Sequence, residues 1–171
     1  MQAGDLVICH SKGLIGGGIR WSQRHMQDNP YAEWNHVAVL DRIAYEDDDG
    51  DAEWFIIQAE AKGVTNNRFL SSVAPGGSYA IVTLPDTIDR NRFLEFLRFQ
   101  VGAKYGYLSI LSCALDMFLP NAICLRKADT WICSALVGAG LMYFGFRSSL
   151  AWPDLYTITP AEIAQHIADM K

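Results

Sequence analysis

The chain has 171 residues, of which half are apolar and 19% are charged, and its formal net charge at neutral pH is -5. This length is typical of one domain, and the apolar content is sufficient for a buried core that offsets the conformational entropy of the chain. The composition therefore excludes intrinsic disorder. The acidic balance argues against nucleic acid as a partner, because phosphate binding requires a basic surface. We expect a single domain over residues 1–171.

No secretion or membrane-spanning signal is recognisable in the sequence pattern. Residues 1–5 lead into a strand-like run without the basic region, apolar segment and cleavage site of a secretion signal. The longest apolar stretch, residues 131–146, is shorter than the roughly 20 residues of a spanning helix. These features predict no transmembrane segment. They also predict a cytoplasmic protein, or one delivered by other means, for example as a phage product.

The cysteines carry no metal-binding pattern. They lie in apolar runs without the paired spacing of a zinc module, at Cys9, Cys113, Cys124 and Cys133. We interpret them as reduced thiols and predict neither a metal nor a cofactor. A competing interpretation is a metal site where two of these cysteines converge with histidines, namely Cys9, Cys133, His10, His25 and His36.

The first half of the chain has the patterns of a β-sheet. Apolar and β-branched runs predict five strands, at residues 6–9, 35–40, 54–60, 64–69 and 79–84. The second and third strands form a hairpin with an acidic tip. A glycine-rich stretch, residues 16–18, predicts a loop and the start of a short helix. A dinucleotide site there is disfavoured, because Trp21 occupies the third glycine position of the fingerprint.

The second half of the chain is predicted to be helical. Apolar residues recur at three- and four-residue steps over residues 93–101, and residues 107–118 and 131–143 are predicted to form apolar helices. A capping box at residues 159–162, with proline at the first helical position, predicts a final helix. Strands followed by helices predict an α+β fold in which an antiparallel sheet packs against helices.

The hairpin is expected to place a histidine beside a carboxylate. Facing residues in an antiparallel hairpin are related by the centre of its turn, which lies near Asp48. Facing position numbers then sum to about 96 or 97, which places His36 opposite Glu60 or its neighbour. With the even sum, which defines the even register, His36 shares a face with Glu60 and Gln58 and lies within hydrogen-bonding range, whereas a one-residue slip would separate them. An imidazole oriented by a carboxylate is part of a catalytic triad, although the same pair is also an ordinary cross-strand contact.

Cys133 is the candidate nucleophile. Thr130 is expected to cap a helix whose first turn contains Cys133, which places the sulfur among unpaired N–H groups at the positive end of the helix dipole. This setting favours the thiolate, and the N–H of Cys133 can serve an oxyanion hole. The alternative is a buried core cysteine. Tyr105 and Tyr107 are further candidates for an oxyanion donor, with aromatic packing as their alternative role.

Four short motifs follow one another along the chain: Gly4-Asp5-Leu6, Asn35-His36-Val37-Ala38-Val39, Gln58-Ala59-Glu60 leading to Gly63-Val64, and Trp131-Ile132-Cys133-Ser134. Together they resemble the circularly permuted papain-like hydrolases of the NlpC superfamily, in particular the YiiX-like branch, related to lecithin:retinol acyltransferase. The histidine precedes the cysteine, as in permuted members. The resemblance covers nearly the whole chain and implies a permuted papain-like fold.

The resemblance also implies a cysteine hydrolase of amide or ester bonds. In this assignment Cys133 is the nucleophile, His36 is the general base and then the acid, and Glu60 orients the imidazole. The implied substrates are cell-wall peptides, other amides or lipid esters, attacked through a thioester intermediate. One departure is Ala135, because many YiiX-like members carry an acid two residues after the cysteine.

Two other functions stay open at this point. An acyltransferase would pass the same acyl group, from a lipid for example, to an amine or an alcohol instead of water. A noncatalytic binding module would use the groove between helix and sheet without turnover. The set of Cys133, His36 and Glu60 argues for an enzyme, whereas Ala135 slightly favours the module.

Overall fold

An antiparallel five-stranded sheet is the central element of the fold. The computed structural model describes residues 1–10, 14–26, 30–46, 48, 52–69, 78–109, 130–144 and 158–169. The sheet strands are β1 (Leu6–His10), β2 (His36–Glu46), β3 (Ala52–Glu60), β4 (Gly63–Arg68) and β5 (Ser78–Val82), in the spatial order β4-β3-β2-β1-β5. A short parallel ladder joins β6 (Lys104–Tyr105) to β7 (Thr130–Trp131). The helices are α1 (Leu14–Met26), α2 (Arg90–Phe99), α3 (Cys133–Phe144) and α4 (Pro160–Ala168).

This architecture confirms the coarse prediction of a mixed fold in which an antiparallel sheet is combined with helices. All five predicted sheet strands are present, and the helices predicted at residues 93–101 and 131–143 correspond to α2 and α3. Of the helix predicted at residues 107–118, only residues 107–109 are described.

The glycine-rich stretch at residues 16–18 differs from its prediction, because it lies inside α1 and not in a loop. A Cβ atom at Gly17 or Gly18 would meet no other atom within 4 Å, so packing does not require glycine at either position. Glycine weakens a helix by about 1 kcal/mol per residue without forbidding it. The low helix propensity of these glycines is therefore overridden by the rest of α1.

Both faces of the sheet are buried. On one face, a core cluster joins strand residues to residues of α2, α3 and α4, and its fully buried members include Leu6, Val39, Ile57, Phe93, Leu136, Leu141, Ile163 and Ile167. On the opposite face, a second cluster contains Val7, Ala38, Leu40 and Ile56. Burial on both faces explains why β1 and the first part of β2 are continuous apolar runs and do not alternate with polar residues.

The packing of α2 against α3 fixes the position of α3 over β2 and β3. The two helices approach closely at Gly140, where an added Cβ would lie 2.6 Å from the buried ring of Phe93. Arg98 of α2 donates to the buried carboxylate of Asp41 on β2 at 2.6 Å, which ties the helix to the sheet. The first residue of α3 is therefore held at a defined place against the sheet.

A buried ion pair anchors the start of β1. Asp5 Oδ1 accepts from Arg90 Nη1 at 2.8 Å and from the N–H of Leu84 at 3.3 Å. Gly4 adopts a φ of +92°, and a Cβ at this position would lie 3.3 Å from the Arg90 side chain. The Gly4-Asp5-Leu6 motif thus has a structural explanation in the docking of Arg90.

The predicted capping box of the last helix is confirmed. Thr159 Oγ1 accepts from the N–H of Glu162 at 3.2 Å, and Glu162 Oε2 accepts from the N–H of Thr159 at 2.7 Å. Pro160 occupies the first turn, where its missing N–H costs no hydrogen bond.

Candidate active site

His36 is the first residue of β2, and Gln58 on β3 holds its ring. Val39 lies opposite Ile57 and Leu40 opposite Ile56, which is the predicted even register. His36 Nε2 lies 2.8 Å from Gln58 Oε1. An amide oxygen only accepts, so Nε2 carries the proton and Nδ1 is the ring nitrogen left to exchange a proton.

Glu60 does not make the hydrogen bond to His36 that the sequence predicts. Its Oε1 accepts instead from Thr65 Oγ1 at 3.2 Å and from Asn67 Nδ2 at 3.4 Å, both on β4. Gln58 takes this place because its long side chain reaches His36 diagonally across the strand pair. Glu60 acts on His36 through its charge, which contributes to raising the pKa of the ring.

The segment before His36 is fixed by backbone contacts. The buried side chain of Gln23 in α1 donates from Nε2 to the carbonyl oxygens of Ala32, at 3.0 Å, and Trp34, at 2.9 Å. The N–H of Asn35 donates to the carbonyl of Cys9 at 3.1 Å. These hydrogen bonds fix the backbone that leads into His36 and so limit where its imidazole can lie.

Cys133 is the first residue of α3. The carbonyl of Ile132 accepts from the N–H of Leu136 at 3.0 Å, so the helix is capped at Ile132 and not at Thr130 as predicted. Thr130 is instead part of β7, where it pairs with Lys104. This ladder holds the chain extended up to Trp131 and delays the start of the helix. The sulfur still lies in the first helical turn, as the prediction requires.

The thiol of Cys133 is buried, the imidazole of His36 is half-buried, and the two groups are close enough for each to shift the pKa of the other. Burial alone would raise the pKa of Cys133, but the charge and hydrogen bond of His36 and the N–H groups of Val37 and Ser134 bring this pKa below its ordinary value. Burial alone would lower the pKa of His36, but the charge and hydrogen bond of Cys133, the hydrogen bond of Gln58 and the charge of Glu60 together raise it. The lowered pKa of Cys133 and the raised pKa of His36 together favour a thiolate–imidazolium pair.

Tyr105 is close enough to Cys133 for their charges to interact, and Tyr107 packs against Tyr105. Burial, followed by the charges of Cys133 and Tyr107, raises the pKa of Tyr105, so its hydroxyl stays protonated and can donate. The hydroxyl of Tyr107 already donates to the carbonyl of Ala61 at 2.8 Å. The two rings pack edge to face, with centroids 5.0 Å apart. Of the two predicted donors, Tyr105 is the one whose hydroxyl responds to the charge of Cys133.

The remaining cysteines differ from Cys133 where they can be compared. Burial and the nearby charge of Cys133 raise the pKa of the Cys9 thiol to about 12, so Cys9 stays a thiol. Cys113 and Cys124 lie outside the described residues. Within the described ranges, no three His, Cys, Asp or Glu side chains converge as a metal site.

Gln58 is the site residue that sequence reasoning did not choose, although it placed Gln58 on the correct face. The signal available was the diagonal position of Gln58 relative to His36 in the even register. Comparison with protein-family models finds no match to the chain, and comparison with curated proteins finds none either. No helix in the described part of the chain is both long and apolar enough to cross a membrane.

Proposed function

We propose that the protein is a cysteine-dependent hydrolase of amide or ester bonds, with Cys133 as nucleophile and His36 as general base. The observation that carries this proposal is the proximity of a buried thiol at the start of α3 to the half-buried imidazole at the start of β2, with pKa values moved in opposite directions. Between the lowered pKa of the thiol and the raised pKa of the ring, the pair is charged and the sulfur is nucleophilic.

In the proposed reaction, the Cys133 thiolate attacks the carbonyl carbon and forms a tetrahedral oxyanion. The N–H of Cys133 and the hydroxyl of Tyr105 are the candidate donors to this oxygen. The imidazolium of His36 then protonates the leaving amine or alcohol, which departs as the thioester forms. Water, deprotonated by His36, attacks the thioester and releases the acid and the thiol.

Gln58 supports this cycle in both protonation states of His36. Its Oε1 keeps the proton on Nε2, so that Nδ1 alternates between accepting and donating toward sulfur and substrate. The side chain of Gln58 is only 3% exposed, which limits competition from water for this hydrogen bond. Gln58 is therefore a positioning residue in the proposal.

The proposed fold is the permuted papain-like one, and the proposed substrates are those of the resemblance: cell-wall peptides, other amides or lipid esters. Support comes from the chain order of His36 and Cys133 and from the antiparallel sheet under α3. Ala135 is 2% exposed, so an acid at this position would be buried in the core.

Acyl transfer is the second candidate function. Cys133 is only 6% exposed, and restricted access of water would prolong the thioester until another acceptor arrives. A noncatalytic module has less support, because it gives no role to the opposite pKa shifts of Cys133 and His36.

The test is to mix the protein with 4-nitrophenyl butyrate, follow the release of nitrophenol, and identify the acylated peptide by mass spectrometry after acid quenching. We expect a burst of one equivalent, with the acyl group on Cys133 and no burst in Cys133→Ala. The matched control, Cys9→Ala, should keep the burst. Added amines or alcohols that capture the acyl group would favour the transferase. A burst that persists in Cys133→Ala would contradict the proposal.

A further inference from the structure

Glu60 presents a carboxylate beside the catalytic pair without holding the ring. Both of its hydrogen-bond donors, Thr65 and Asn67, are neutral and bind the same oxygen, Oε1. Its Oε2 accepts no hydrogen bond from the described residues. Among these residues, no cationic nitrogen lies within 4.0 Å of the carboxylate. Within the described residues, the carboxylate of Glu60 is therefore oriented by neutral donors, and its charge acts on His36 without a direct ion pair.

Two buried carboxylates elsewhere in the fold differ from Glu60, because each forms ion pairs with arginine. Asp5 pairs with Arg90, and Asp41 pairs with both Arg42 and Arg98 at 2.6 Å. Removing a carboxylate from water is unfavourable unless a cation or several donors compensate. Glu60 is partly buried and partly accessible, so a cation from outside the chain can reach it.

The position of Glu60 relates it to the reaction. Glu60 lies two residues beyond Gln58 on β3, so it shares the face of the residue that holds the His36 ring, and its charge acts on that ring. Residues two apart on a strand are about 7 Å apart, so the carboxylate lies about one side-chain length from the Gln58 amide that holds the ring. A group held there is near enough to belong to the same substrate molecule as a carbonyl attacked by Cys133.

We propose that Glu60 is the specificity-determining residue of the site and that it binds an ammonium or guanidinium group of the substrate. This inference rests on the proposed hydrolase function. Thr65 and Asn67 hold Oε1, so that Oε2 faces the incoming cation. Oriented charge of this kind favours a substrate whose cationic group lies about one amino-acid side chain from the scissile carbonyl.

The test compares two esters that differ in charge: the 4-nitrophenyl esters of Nα-acetyl-lysine and Nα-acetyl-norleucine. We expect kcat/KM to be about tenfold or more higher for the lysine ester, mainly through KM. In Glu60→Gln this ratio should fall close to one, and Glu60→Asp should restore part of it. The matched control is Glu53→Gln on the same strand, where Glu53 pairs with Arg68; it should keep the ratio.

The outcomes separate this inference from the proposed function. Equal losses for both esters in Glu60→Gln, or a wild-type ratio near one, would overturn the role of Glu60 while a burst on Cys133 still supported the hydrolase. Absence of acylation by either ester in the wild type would overturn both. Thermal unfolding of the Glu60 variants shows whether they are folded, and the ratio of the two esters cancels any shared loss of active protein.

Discussion

Replacing Gln58 by leucine tests the hydrogen bond that orients His36. Leucine fills similar space but cannot accept the proton on Nε2, which would then lose its hydrogen-bond partner at a half-buried position. A hydrogen bond to a charged group contributes about 1.5–3 kcal/mol, and each 1.4 kcal/mol is a factor of ten in an equilibrium. The balance between the thiolate–imidazolium pair and the neutral pair should therefore move about ten- to hundredfold toward the neutral pair.

The assay is NMR of the ring nitrogens of His36, which reports the fraction of protonated imidazole at a fixed pH near neutrality. The wild type, Gln58→Leu and Gln58→Glu should be compared. We expect protonated His36 to decrease in Gln58→Leu, because the accepting oxygen is lost. It should increase in Gln58→Glu, because a carboxylate both accepts the hydrogen bond and stabilises the positive ring.

The matched comparison is Glu60→Gln, which removes a charge but no hydrogen bond to the ring. The account predicts a smaller decrease in protonated His36 for Glu60→Gln than for Gln58→Leu. If Gln58→Leu left the ring unchanged while Glu60→Gln removed most of the protonated form, the carboxylate would be the true partner and the described geometry would be wrong.

Three further predictions concern stability, each checked by the free energy of unfolding in urea. Gly140→Ala should destabilise the protein by about 1–3 kcal/mol, because the added methyl group clashes between α2 and α3. Gly17→Ala, with open space around it, should stabilise the protein by up to about 1 kcal/mol. Equal effects of the two substitutions would refute the packing argument. Arg90→Leu should cost about 3–5 kcal/mol, because it leaves the buried Asp5 unpaired, and a loss below 1 kcal/mol would contradict this. Thr159→Ala should cost about 1 kcal/mol through loss of the cap, while an unchanged midpoint would argue against the capping box.

The hairpin register could be predicted because the turn centre and the two apolar runs constrain each other. The prediction holds at the end near His36, where Val39 faces Ile57. Toward the tip, irregularities between Leu40 and Arg42 and between Ile43 and Tyr45 shift the pairing. Such bulges depend on local twist, which residue patterns do not encode. The register at the site was predictable because these shifts lie on the other side of it.

The choice of Gln58 over Glu60 could not be predicted from spacing. Both residues lie on the face of His36, and a triad argument prefers the carboxylate. The outcome depends on which way each side chain leans and on the donors that β4 offers to Glu60. These are tertiary contacts, and they become visible only when the neighbouring strand is in place.

The exact start of α3 also depends on a contact with a distant part of the chain and could not be predicted from local sequence. Thr130 is a good capping residue by type, but its pairing in β7 recruits it into an extended segment. The sequence pattern located the sulfur in the first helical turn because apolar residues begin there, and it missed the exact cap because β6 is distant in the chain.

Reaction of the cysteines with iodoacetamide at pH 6, mapped by peptide mass spectrometry, tests the central claim most directly. An ordinary thiol is largely protonated at this pH and reacts slowly. The account predicts rapid modification of Cys133 but not of Cys9, and a large decrease in the Cys133 rate in His36→Ala. Slow modification of Cys133 in the wild type, or a rate that His36→Ala leaves unchanged, would contradict a reactive pair between these residues.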